Sequence, residues 1–169
     1  MRLGRTVKEL VVGSPATIAG LVYGTIVVLA AVTAGGKAFQ DDLWRLLAIV
    51  ATTVLVLWLA HVYAHGLAES IQMGRRLDGA ELRAIARREL AIPLAAVGPS
   101  VVLVLGAVDL IEGPTAVWLA IALGVVTLAL QGLRYARVER LGVTGTLVSV
   151  SLNLGLGLAI VGLKVLVAH

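Results

Sequence analysis

The sequence predicts an all-α integral membrane protein: one helical bundle of five transmembrane helices forming a single domain over residues 1–169. Three observations carry this. Of the 169 residues, 59% are hydrophobic and 14% charged, with mean hydropathy +0.99; a water-soluble domain of this length cannot hide so much apolar side chain. The apolar residues gather in five runs, about 15–34, 43–68, 92–110, 114–133 and 143–167, each near the ~20 residues a helix needs to cross a bilayer's hydrocarbon core. Finally, the cations cluster in alternate connections. Five spans put Arg2, Arg5, Lys8, Arg75, Arg76, Arg83, Arg87, Arg88, Arg134, Arg137 and Arg140 on one side, and Lys37, Arg45 and Lys164 on the other. The positive-inside rule then places the N-terminus in the cytoplasm and the C-terminus outside.

In the first span, Ser14 before Pro15 reads as an N-cap with proline at the first helical position. The basic start and following apolar run also resemble a secretory signal peptide, but Tyr23 and Gly24 interrupt the run and its length is that of a full span. Gly20 and Gly24 form a small-xxx-small face for close helix packing. Asp41 is the expected cap of the second helix, and Trp44 suits the interfacial belt. Between the second and third spans, Asp78 and Glu81 have capping-box spacing. Leu82, Ile85, Ala86 and Leu90 share one face, which predicts an amphipathic helix over about 78–90 lying on the membrane surface. Its Arg83, Arg87 and Arg88 are expected to bind anionic lipid headgroups. Pro93 opens the third span and Pro99 is expected to kink it. Pro114 begins the fourth span, and Gly142 is expected to end that helix or its extension.

The functional lead lies at the end of the second span. His61, His65 and Glu69 are four residues apart, so they drift by about 40° per step and form one polar stripe near the arginines. Counting ~1.5 Å per residue from Trp44 puts His61 about 25 Å down, just inside the cytoplasmic boundary of the hydrocarbon, and His65 at that boundary. Gln131 of the fourth span, Asn153 of the fifth and Tyr23 of the first fall in the same half. Together these six residues outline a polar vestibule for protons or cations. Three roles fit the stripe. Histidine titrates near neutrality and a carboxylate holds positive charge, as a transport pathway needs. His at i and i+4 with Glu69 one turn on has metal-ligand spacing. Interfacial histidines also glue helices together by hydrogen bonding. Asp109, Glu112 and Lys164 fall at the outer mouth, as turn caps or ion-attracting groups.

Other classes are poorly served. There is no cysteine for disulfides or thiolate chemistry. The basic clusters lack interleaved aromatics, so the net charge of +4 points to membrane orientation and not to nucleic acid. Gly155, Gly157 and Gly162 lie within a span and match no dinucleotide fingerprint. No GxSxG or Walker loop occurs, so no residues support an enzyme, and no cofactor is expected.

The segment AHGLAESIQMGRRLDGAELRAIARREL, 64–90, resembles the stretch leaving the second span of the vacuolar iron transporter family, as does the pattern of five spans with a charged helical excursion after the second. The resemblance implies exchange of divalent metal for protons by a dimer, using an acidic residue and methionine inside the membrane. Here the first span has no carboxylate and the methionines are Met1 and Met73, so no ligand transfers. The bias to Ala, Gly, Val, Leu and Arg looks like a GC-rich bacterial genome, hence a bacterial inner membrane. The sequence reading is a small channel or transporter for protons or cations, or alternatively a non-transporting scaffold or accessory subunit. A homo-oligomer is expected, because five helices barely surround a pathway and the glycines offer packing faces.

Overall fold

The computed structural model describes residues 15–167, with side chains placed from Thr17 to Ala159 and Gly162 beyond. Arg2, Arg5, Lys8, the Ser14 cap and any leader before Pro15 fall outside the described residues, as does the Lys164 side chain.

Among the described residues seven helices follow in order: α1 Pro15–Gly36, α2 Leu43–Met73, α3 Gly79–Arg88, α4 Ala91–Leu94, α5 Val97–Ala107, α6 Gly113–Val138 and α7 Val143–Val167. Three helices are long and apolar enough to cross a membrane, in α1, α2 and α6, and a fourth span arises if the bent segment ending in α5 crosses as one. The described residues are thus those of an all-helical, apolar bundle of the kind that membranes hold. At its centre α1 and α6 pack on each other. Helices α2 and α5 flank them on one side and α7 lies along both on the other.

The core is apolar. Leu29, Val32, Leu46, Val50, Leu103, Ala120 and Leu128 interlock with almost no exposure. Meanwhile Leu55, Val56, Leu59 and Tyr63 of α2 and Leu147, Leu152, Leu156 and Leu158 of α7 face outward, an inside-out pattern that suits lipid. Exposed Trp44 and Tyr63 are 19 residues apart on α2, or about 28 Å of helix, close to one hydrocarbon thickness.

Glycines set the closest approaches. A Cβ at Gly24 would stand 2.5 Å from the Ile92 carbonyl oxygen, and one at Gly20 2.8 Å from the Ala91 Cβ. The small-residue face expected to serve an oligomer therefore receives α4 of the same chain. Gly157 likewise meets Leu128, whereas Gly155 faces open space.

Helix ends depart from expectation in instructive ways. Asp42, not Asp41, caps α2, its carboxylate accepting from the Arg45 N–H at 3.1 Å. Helix α2 runs to Met73, past the expected end near 68, and stops at Gly74, whose φ of 65° ordinary side chains resist. The capping box of Asp78 and Glu81 forms as spacing predicts. The expected third span is kinked ahead of Pro99: its axis bends by 50° between Leu94 and Val97, because a proline removes the bond to, and crowds, the carbonyl four residues back, here Ala95. Pro93 acts in the same way on Glu89, the residue that closes α3. Both prolines sit in the first turn of their own short helices, where an N–H needs no partner. Gly142 does not end α6 either. Arg140 takes the left-handed conformation, with φ 52°, and Leu141 N–H reaches back to Ala136 O. Gly142 instead begins α7, its carbonyl accepting from Thr146.

Candidate functional site at the arginine-rich end

Because α1 starts where α2 and α6 finish, one end of the bundle collects Arg75, Arg76, Arg83, Arg87, Arg88, Arg134, Arg137 and Arg140. The polar residues of interest converge beneath them.

A hairpin of chain builds the site. After Gly74 the backbone turns back, fixed by Ser70 Oγ donating to Arg75 O at 2.8 Å and by Arg75 forking onto Glu81 at 2.6 and 3.0 Å. The guanidinium, with the Asp78 N–H beside it, holds the Glu81 carboxyl down to about 2. Helix α3 then runs back along α2. Ile85 is buried over Gly66, and Trp58 Nε1 donates to Ala86 O at 3.2 Å. The break enforced by Pro93 follows at once, leaving Arg88 and Glu89 at the corner against the histidine stripe.

The contacts there form a chain. The Tyr23 and His61 rings lie 4.9 Å apart between centroids, and the His61 and His65 rings 6.2 Å apart. His65 Nδ1 is 3.3 Å from Glu89 Oε1. Arg88 donates from Nη2 to Glu69 Oε1 at 3.0 Å and brings Nε to 3.5 Å from Glu89 Oε1. His61 Nδ1 lies 3.1 Å from Leu57 O. A carbonyl oxygen only accepts, so Nδ1 is the donor in this contact. Tyr23, His61, His65, Arg88 and Glu89 line one cleft of about 490 Å³. Tyr23 also borders a second cavity, of about 510 Å³, with Gln131, Tyr135, Glu139 and Asn153.

The structure thus gathers five of the six proposed pathway residues around two adjoining cavities that share Ala19 and Tyr23, with Glu69 tied to the first through Arg88. Gln131 lies deep, with its Oε1 lacking any partner. Arg88, expected at lipid headgroups, is engaged by two carboxylates, whereas Arg83 and Arg87 stay exposed on α3. Among the described residues no three His, Asp or Glu side chains converge as a metal ion requires. His61, His65 and Glu69 do not converge on one point, Glu69 lying on Arg88 and His65 beside Glu89. At the opposite end, Asp109 and Glu112 are exposed in the turn between α5 and α6. Asp109, with φ 59°, closes α5 while Leu110 N–H bonds Leu105 O.

The residue that the stripe alone did not reveal is Glu89. Its signal was present, four residues before Pro93, where an α-helix must break. No protein-family model, no curated protein and no solved structure matches this chain.

Proposed function

We propose that the protein is a five-span bacterial inner-membrane protein that moves protons or other cations through a site entered from the cytoplasm. Helix α7, 25 residues from Val143 to Val167, serves as the fifth span. The arginine-rich end faces the cytoplasm, which the cation asymmetry supports. The observation that carries the transport reading is the charge balance of the cluster. With both histidines neutral, Arg88 against Glu69 and Glu89 leaves one unit of negative charge. A single proton on His65, or one bound cation, neutralises it. His61 and Tyr23 extend the cluster inward from His65, a spacing suited to relaying a proton through one or two waters. Beyond Tyr23 the core of Leu29, Val50 and Leu103 is closed, so movement across the membrane needs a conformational change, and the inward-facing cavities correspond to one state of that cycle.

A second reading is favoured by one contact set. Arg88 on Glu69 and Trp58 on Ala86 O also fasten the surface helix to α2, which is what a non-transporting scaffold needs.

Flux in proteoliposomes under an imposed pH gradient and membrane potential separates the two. The transport reading expects saturable proton or cation flux in the wild type and its loss in a folded His61→Ala/His65→Ala variant. Equal background flux in both proteins leaves the scaffold reading standing.

A further inference from the structure

Helix α3 sits level with lipid headgroups and carries two arginines that the histidine site does not use. Trp44 and Tyr63, the exposed aromatics of α2, mark about one hydrocarbon thickness along that helix. Gly66, over which Ile85 of α3 is buried, stands three residues beyond Tyr63, or about 4.5 Å further along the axis. The headgroup layer of a bilayer is roughly 5 to 8 Å deep on each side, so α3 falls within it.

Helix α3 packs chiefly on α2. Ile85 marks the face turned toward α2, and steps of about 100° per residue put Arg83 and Arg87 on the opposite face, with Ala80 and Ala84 between and beside them. All four are exposed, and no carboxylate shares their face. Among the described residues neither arginine is paired with an acid, whereas Arg75 lies on Glu81 and Arg88 on Glu69 and Glu89. Four residues apart on a helix, Arg83 and Arg87 repel each other. The dipole at the C-terminal end of α3 favours Arg87, in the last turn, but not Arg83 one turn earlier. One phosphate between them replaces the repulsion with charge-assisted hydrogen bonds to both guanidinium groups. Beside this face Leu82, and Leu90 just past the helix, are exposed, which suits contact with acyl chains. An acidic protein would have to displace lipid to reach the same depth.

We propose that the outer face of α3 binds an anionic phospholipid, its phosphate between Arg83 and Arg87 and its acyl region against Leu82 and Leu90. A bound headgroup relieves the repulsion within α3 and so steadies the helix that delivers Arg88 and Glu89 to the histidines. The inference goes beyond the proton reading and does not rest on it, since lipid binding needs a membrane but no flux.

The test titrates the full chain in neutral detergent with phosphatidylglycerol or with phosphatidylcholine of the same acyl chains, and reads the affinity of the first bound lipid by native mass spectrometry. Phosphatidylglycerol should bind the wild type more tightly. Arg83→Gln/Arg87→Gln should weaken phosphatidylglycerol by about tenfold, in line with the gain per cation near a charged surface, and leave phosphatidylcholine unchanged. Arg83→Lys/Arg87→Lys, which keeps the charge, should retain most of the affinity. Arg134→Gln/Arg137→Gln makes the same change of charge at exposed positions on α6 and should cost about threefold or less. Hydrogen exchange on the wild type decides the matter if a variant does not fold: amides of residues 79–88 should be slowed by phosphatidylglycerol and not by phosphatidylcholine. Equal affinity for the two lipids overturns the proposal and leaves the face to an acidic protein. Undiminished binding in Arg83→Gln/Arg87→Gln, an equal loss in the α6 pair, or unchanged exchange of residues 79–88 overturns it as well. Lipid selectivity without flux would overturn only the transport reading, and flux without lipid selectivity only this one.

Discussion

The two ends of this bundle are made from the same helices and packed by opposite rules. Away from the arginines, α1, α2, α5 and α6 close on Leu29, Leu46, Val50, Leu103 and Ala120, with small residues such as Gly36 and Gly106 allowing near contact. Toward the arginines the same α1 presents Ala19 and Tyr23 to open space, and polar side chains from α2, α3, α6 and α7 stand around two cavities. The difference teaches where function resides. The half away from the arginines also has a groove of about 510 Å³ between α1 and α2, but Ala30, Ala34, Phe39 and Ile49 make its lining chiefly apolar, while the half that sets polar side chains around its cavities is the one able to bind and change charge.

The largest expected effect tests the closed half. Leu103→Ala, at a side chain with no exposure, should cost about 3 kcal/mol through lost contacts and a residual cavity. Thermal unfolding in detergent would read it, and a cost below ~1 kcal/mol would mean that the closed half is looser than its packing implies. Next comes the joint between the halves. Gly24→Ala pushes a methyl against the backbone of Ile92, which cannot swing aside, and overpacking of that kind costs about 2 kcal/mol. Gly155→Ala, with nothing within 4 Å, should be neutral or slightly stabilising, so similar losses at both positions would remove α4 from the Gly24 face.

Within the open end, Arg88→Gln should free α3 from α2 at a cost of about 1 kcal/mol, because its two carboxylates are then left to repel each other while partly exposed to solvent. Hydrogen exchange of residues 79–88 would rise while that of α6 stays unchanged. Arg140→Gly should stabilise by about 1 kcal/mol, since glycine occupies a φ of 52° without steric cost. The smallest effect is a titration. The Glu81 carboxyl is held down to about 2, below its ordinary value of 4.5. A depressed folded value means that this contribution is fully present above the ordinary carboxylate range and lost as pH falls toward 2. Protection of the α3 amides should therefore hold from neutrality to about pH 5 and decline below it, and Glu81→Gln should flatten that decline.

The sequence by itself determined the class of structure. Apolar runs of membrane-spanning length, prolines and capping residues between them, and the pairing of Asp78 with Glu81 are local properties, set by helix periodicity and backbone hydrogen bonding within a few residues. It also placed His61, His65 and Glu69 on one stripe, because 3.6 residues per turn leaves little choice. Which neighbours the stripe meets was decided only by tertiary structure. Spacing cannot say that α3 folds back along α2 and delivers Arg88 and Glu89 to the histidines, nor that the Gly20 and Gly24 face is occupied by α4 of the same chain. The physical reason is range. Helix type and length follow from interactions between residues three and four apart. Partners across helices depend on where a 50° bend before Val97 and a left-handed glycine at residue 74 send the chain, and small changes of direction there move side chains by whole helix diameters.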